Sequence, residues 1–342
     1  VNSSFQKILK DFSLLACVIE NPTDLLYLTG LELSKGVLLM EPEKATLFVD
    51  GRYLDAARKS SHFAVEPIEE GIFPENFLGR IGFDSSFVTY DRHQALCKQY
   101  PFVEWIACQN PLKTIRVCKT AEEIVSLKRA ADLTAQGYRF ICGLLKEGIS
   151  EEELAFEFEF FCRKKGASGL SFSPIIAFGE NSAYPHHRAG KTLLKKGQVV
   201  LIDVGAIVDQ YRGDMTRIVF FGKADPKIIR LFEIVKKAQR KAVEAVQVGV
   251  KLGWLDKLVR EEFRAEGVES LFTHGLGHGI GLDTHEYPRL KWDGEDADVP
   301  LKAGMVFTIE PGLYQPGLGG IRYEDTILVT ERGAENFFAG VE

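Results

Sequence analysis

The chain has 342 residues, 45% hydrophobic and 26% charged, ordinary globular proportions that exclude a long disordered or fibrous protein and suggest two domains at about 150 residues each. No run reaches the ~18 apolar residues of a transmembrane helix, since even the stretch Val199 to Val208 carries Asp203. A net charge of −6 without a block of like charges argues against a nucleic-acid surface.

Lys7 and Lys10 precede the apolar stretch Phe12 to Ile19, an outline shared with a secretory leader. Asp11, the lack of a small-x-small cleavage site and the turn-like Asn21-Pro22-Thr23 favour a first β-strand instead. Short apolar runs at 37–40, 46–49, 63–65, 81–83 and 103–107 read as further strands, and Asp50 to Ser61 as a helix capped by Asp50. That alternation predicts a small α/β domain over residues 1–115. Thr120 with Glu123, and Ser150 with Glu153, form capping boxes that open two successive helices, the first with Leu127, Ala131, Tyr138 and Leu145 on one face. Strands follow near 172–178, 199–208 and 215–221, then helices near 226–247 and 253–266, then strands near 305–310 and 321–329. The order helices, strands, helices, strands over 116–342 predicts an α+β domain of two similar halves. Six cysteines (Cys17, Cys97, Cys108, Cys118, Cys142, Cys162) without a C-x-x-C pair read as reduced thiols of a cytoplasmic protein.

Five of the seven histidines lie between His186 and His285, and residues 273–286, THGLGHGIGLDTHE, interleave three of them with four glycines. Glycine at that density lets backbone approach a ligand closely; the plainer reading is a glycine-rich turn with core histidines. Asp203 sits inside an apolar strand, where an unpartnered carboxylate costs several kcal/mol, and Asp214 begins the next strand across a polar turn. Glu310 ends a strand and Glu324 lies within the following one. Two hairpins with two acids each, plus a histidine, make a hard oxygen and nitrogen donor set that suits two divalent cations, manganese before cobalt or zinc.

These stretches together resemble the pita-bread metallopeptidases, in the branch of Xaa-Pro aminopeptidase (aminopeptidase P) and Xaa-Pro dipeptidase (prolidase), over nearly the whole chain. NPTDLLYLTG (21–30) and VDGRYLDAA (49–57) resemble the creatinase-like N-terminal domain of that family, which the resemblance places at 1–115 ahead of a pita-bread catalytic domain at 116–342 with pseudo-twofold halves. The metal ligands it implies are Asp203 (D-x-G), Asp214, His278 (H-G-x-G-H), Glu310 (E-P-G) and Glu324 (R-x-E-D). It also implies outer residues around the substrate: His274, His285 in H-E-Y-P, His186 in S-A-Y-P-H with His187 beside it, and Arg322, which holds substrate or orients His285. The implied chemistry is attack by a water or hydroxide bridging two divalent ions. Glu310 serves as general base, His285 at the oxyanion, and His274 and His186 around the scissile bond.

Proline as leaving group needs a dedicated pocket; Phe178 and Tyr184 are candidates for it, with a core role the plainer one for each. Arg289 is placed where it could bind the free carboxylate of a dipeptide, although a solvated arginine is the plainer reading. Nothing else forces a dipeptide-only enzyme, so aminopeptidase P is the preferred reading and prolidase the alternative. Methionine aminopeptidase fits the leading α/β domain less well, and creatinase lacks the full ligand set. A non-catalytic peptide-binding scaffold of the same fold is the remote reading. The expected partners are proline-containing peptides and further copies of the chain, as a homodimer or higher homo-oligomer.

Overall fold

The computed structural model describes residues 3–74 and 76–342. Its backbone divides into two compact units, Val1–Arg116 and Val117–Glu342. The first unit runs α1 (Ser3–Asp11), β1 (Ala16–Ile19), α2 (Pro22–Thr29), β2 (Gly36–Met40), β3 (Ala45–Val49), α3 (Leu54–Ser60), β4 (Ala64–Pro67), β5 (Gly79–Asp84), α4 (Tyr90–Gln99), β6 (Val103–Cys108) and α5 (Lys113–Arg116). The strands form one sheet in the order β4-β3-β2-β1-β5-β6, with β2 antiparallel to both neighbours and the other pairs parallel. Alternate residues feed opposite faces: Cys17, Ile19, Leu38 and Leu47 join one core, Ala16, Val18, Leu39 and Phe48 the other. Both faces are therefore covered, as a sheet with parallel strands requires.

Two local readings change here. Asn21-Pro22-Thr23 is a helix start: Asn21 Oδ1 accepts from the Thr23 N–H at 3.0 Å, Pro22 occupies the first turn, and Gly30 ends the helix at φ 72°. Asp50 does not cap α3, because its carboxylate is taken by the Arg52 backbone and guanidinium, and the helix begins at Leu54.

The second unit opens with α6 (Ala121–Cys142) and α7 (Glu151–Lys164), and both arms of each capping box are present. There follow β7 (Gly169–Leu170), β8 (Ile175–Phe178), β9 (Gln198–Val204), β10 (Ala206–Val208), β11 (Tyr211–Arg212) and β12 (Met215–Phe221), then α8 (Pro226–Glu244) and α9 (Leu252–Ala265). The chain continues through β13 (Gly277–Gly279), β14 (Glu286–Leu290), β15 (Val306–Ile309), β16 (Gly312–Gln315), β17 (Gly319–Arg322), β18 (Asp325–Thr330) and β19 (Gly333–Asn336). The sheets are β12-β9-β8, β11-β10-β7, β14-β13-β15-β18-β19 and the hairpin β16-β17. Strand β9 is shared between the two cores: Val199 and Leu201 pack with residues of α8 and α9, Val200, Ile202 and Val204 with residues of α6 and α7.

The stretch 199–208, which reads as one strand, breaks at Gly205 and changes sheets. A Cβ at that position would meet the Gly213 carbonyl at 2.0 Å, so only glycine permits the crossing. The stretch 321–329 breaks likewise between Arg322 and Asp325, leaving Glu324 in the gap, where its N–H reaches the Thr216 carbonyl at 3.2 Å.

Candidate active site

The four acids stand at strand ends or one residue beyond them. Asp203, next to last in β9, pairs with Thr216 across the β9–β12 ladder; Asp214 precedes β12, Glu310 follows β15, and Glu324 precedes β18. His278 lies on β13, between β14 and β15, so the centre of the glycine-rich segment is an interior strand. Its glycines are required by close approach: a Cβ at Gly277 would sit 2.0 Å from the Thr308 carbonyl, and one at Gly279 2.3 Å from that of Tyr287. Ligand atoms of Asp214, His278 and Glu324 lie within 4.8 Å of one another. His278 Nε2 is 3.3 Å from Glu310 Oε1 and 3.7 Å from Asp214 Oδ2, while its Nδ1 faces the Gly279 carbonyl at 3.1 Å, which leaves Nε2 for the cluster.

Burial makes these acids reluctant to ionise together. Asp214 is held well above the usual carboxylate range by burial and then by the charges of Glu324, Asp203 and Glu310, and Glu324 likewise by burial, Glu310 and Asp203. Burial pushes Glu310 up to about 8 and raises Asp203 against the pull of Arg322. The imidazoles are kept neutral: burial lowers His278 to about 3 and His274 to about 4, and burial with Arg289 lowers His285. Asp203 Oδ1 is buried with no hydrogen-bond partner among the described residues, although its Oδ2 accepts from Arg322 Nη2 at 2.5 Å. An orphaned carboxylate oxygen beside mutually repelling acids and neutral imidazoles fits divalent cations, which would be held by these side chains.

Around the cluster runs a hydrogen-bonded chain. Tyr314 OH is 2.9 Å from His274 Nε2 and accepts from Arg322 Nη1 at 2.9 Å; Arg322 Nε donates to Thr216 Oγ1, which donates to Glu324 Oε2 at 2.6 Å. With His274 Nδ1 against the Gly275 carbonyl at 2.8 Å, both nitrogens of His274 are engaged within the protein. Arg322 donates to Asp203, Tyr314, Thr216 and the Pro185 carbonyl, whereas His285 stacks edge-on against His278, centroids 4.2 Å apart. Tyr314 and Thr216 are not visible as site residues in the sequence reading. The available signal was strand parity, since Thr216 is two residues from Asp214 and so shares its side of the strand.

A cavity of about 1170 Å³ gathers the cluster together with His186, His274, His285, Arg289 and Arg322. His186 lines the cavity, and so does His187, whose Nε2 is 2.8 Å from Glu151 Oε2. Phe178 is core, and Tyr184 is 60% exposed, neither buried nor among the cavity-lining residues. Behind the ligand strands lies Arg217, 1% exposed, whose guanidinium donates to the carbonyls of Thr216, Glu324 and Val341 and to Asp325 Oδ1. No helix among the described residues is long and apolar enough to cross a membrane.

The sequence profile of Metallopeptidase family M24 matches residues 125–331, which contain all five ligand candidates. The chain belongs to metallopeptidase family M24. The Creatinase/Prolidase N-terminal domain profile matches residues 3–118. This M24 enzyme is 34% identical over 337 residues to an Xaa-Pro dipeptidase of Pyrococcus furiosus, covering 96% of this chain and 94% of that one. Among solved structures, the prolidase from Pyrococcus horikoshii OT3 superposes with a TM-score of 0.93 at 31% identity, covering 98% of this chain and 96% of that one. The X-Pro aminopeptidase from Thermotoga maritima MSB8 gives 0.85 at 28%, covering 97% of each. The fold is therefore a creatinase-type N-terminal domain followed by a pita-bread catalytic domain, and the protein is a metallo-exopeptidase dependent on divalent metal.

Proposed function

We propose that this enzyme is an Xaa-Pro dipeptidase, which replaces the aminopeptidase P preference drawn from the sequence. The single observation that carries the reading is Arg289. It is exposed, lines the same cavity as the ligand cluster, pairs across the β13–β14 ladder with His278, and has no ion pair among the described residues. A free cation beside the ligand strand suits the terminal carboxylate of a dipeptide, which a longer peptide does not present there. The dipeptidase relatives support the same choice.

In this proposal Asp203, Asp214, His278, Glu310 and Glu324 hold two divalent ions, manganese before cobalt or zinc. The ions, when bound, supply Lewis acidity and a water activated for attack near neutral pH. Glu310 takes a proton at Oε1 and returns it to the departing proline nitrogen. His285, half-exposed to the cavity, donates to the oxygen that gains charge, and His186 holds the residue before proline. His274 acts through Tyr314, fixing Arg322 and with it Asp203. The assignment of 1–115 and 116–342 as domains, a homodimer or higher oligomer, and a cytoplasmic location supported by six free thiols belong to the same proposal.

The test is hydrolysis of Gly-Pro and a Gly-Pro-Yaa tripeptide in parallel, after removing metal and restoring manganese, with wild type and Arg289→Ala. The expected result is cleavage of the dipeptide alone, with KM raised roughly 10–100-fold by the substitution, as for a lost charged hydrogen bond. Tripeptide cleavage by wild type with Arg289→Ala unaffected would return aminopeptidase P. Silence on both with manganese bound would leave the scaffold reading.

A further inference from the structure

Glu151 opens α7 and is wholly buried, whereas Glu153 in the same turn is exposed. The dipole of a helix start favours a carboxylate at the surface, so burial needs another cause. Its contacts supply one. Oε1 accepts from the Phe178 N–H at 2.8 Å and from Asn181 Nδ2 at 2.8 Å; Oε2 accepts from the Gly190 N–H at 3.2 Å and lies 2.8 Å from His187 Nε2. All these partners belong to segment 178–190, two near its beginning and two near its end, so one carboxylate closes the segment into a loop. At the middle of the loop the Pro185 carbonyl meets Arg322 Nη1 at 3.4 Å, and the next two residues, His186 and His187, line the cavity, His187 with its Nε2 held by Glu151. A buried carboxylate is tolerated only when its acceptor positions are filled, so the course of the loop and the state of Glu151 are set together.

We infer that Glu151 is a positioning residue for His186, and that His187 is the tie between loop and carboxylate, not a second substrate contact. The inference rests on the reading of His186 as a substrate-holding group. Glutamine at 151 keeps most of the arrangement: its carbonyl can accept from Phe178 and Asn181, and its amide can donate to His187 in the other tautomer, leaving only the Gly190 N–H without a partner. Alanine removes every side-chain tie and leaves the Glu152 N–H on the Gly190 carbonyl at 3.0 Å.

The experiment compares Glu151→Ala, Glu151→Gln, His187→Ala, His186→Ala and the Glu151→Ala/His186→Ala double variant in the full chain with manganese. Glu151→Ala should lower kcat/KM on Gly-Pro by about a hundredfold, chiefly through KM, as misplacement of a positioned group by about 1 Å does. Manganese per chain should stay at the wild-type value, and Glu151→Gln should recover most of the activity. In the His186→Ala background Glu151→Ala should add less than about threefold, because both changes remove one contact. Hydrogen exchange should quicken at 179–190 and stay unchanged in β9 and β12. Wild-type kcat/KM in Glu151→Ala, losses that multiply in the double variant, or departure of manganese would each overturn the inference. Should wild type cleave no proline peptide, exchange alone decides: unchanged protection of 179–190 overturns it and selective loss upholds it. If Glu151→Ala does not fold, His187→Ala carries the same comparison, and an unaltered exchange pattern at 184–190 overturns it.

Discussion

Replacing Arg217 with methionine should destabilise the enzyme by about 4 kcal/mol. The side chain is 1% exposed; Nε donates to the Val341 carbonyl at 2.8 Å, Nη1 to those of Thr216 and Glu324 at 2.9 and 2.6 Å, and Nη2 to Asp325 Oδ1 at 2.6 Å. Methionine fills similar volume but leaves Asp325 charged and buried, a loss of roughly 3–5 kcal/mol when one partner of an interior pair is removed. Asp325 keeps two donors, Gln239 Nε2 and Asn336 Nδ2, each at 2.8 Å, which holds the loss below the top of that range. The carbonyls of Val341 and Glu324 lose a donor at about 1–3 kcal/mol each where no water replaces it, which keeps the loss off the bottom. Urea unfolding followed by circular dichroism, on metal-free protein so that ligand binding does not contribute, measures the change. Adding Asp325→Asn removes the uncompensated charge and should return about half of the loss. A decrease under about 1 kcal/mol, or a double variant no more stable than the single one, would refute this account of how the ligand strands are braced.

The metal-free protein should lose stability as pH rises. A carboxyl raised in the fold stabilises it below its unfolded pKa of about 4.3 and ceases to do so as pH climbs through the folded value, which for Glu310 is about 8. The gap in Tm between manganese-loaded and metal-free protein should therefore widen from pH 5 to 8.5, and a constant gap would contradict the burial argument. Asp214→Asn removes one of the repelling acids, so it should raise the Tm of metal-free protein and abolish the increase on adding manganese; calorimetry showing the reverse order would count against the assigned ligand set. Gly277→Ala drives a Cβ into the Thr308 carbonyl, 2.0 Å away, and should cost about 1–3 kcal/mol while displacing His278, seen as lower manganese content by elemental analysis. Full manganese content in that variant would mean that β13 can shift without moving its histidine.

The elements that sequence displayed best were those with local signals. Both capping boxes formed as read, and the strands from Val37 to Met40 and Met215 to Phe221 match their apolar runs to within a residue. Short amphipathic helices escaped: α1, whose Lys7 and Lys10 look like a leader's charged end, and α4, whose capped start at Thr89 precedes few apolar residues. Strand β13 reads as a loop because its glycines serve contacts across the sheet that no local pattern records. The site divides the same way. Ligand side chains betray themselves as acids in apolar strands, but Tyr314 and Thr216 are ordinary strand residues until partners far along the chain are known. Glu151 reads as one member of an acidic first turn, and nothing in residues 150–153 tells which acid turns inward.

The bonds that assemble the ligand cluster span long stretches of chain: 108 residues from Thr216 to Glu324 and 119 from Asp203 to Arg322. Contacts so distant in sequence form only after the entropy of closing a large loop has been met, so they come late in folding. The cation-binding set is thus incomplete in any species where the β9–β12 ladder has formed but β15 and β18 have not yet docked beside it. Divalent metal should leave early refolding phases untouched and slow unfolding instead, making metal capture a kinetic marker of the moment when the two halves of the catalytic unit meet.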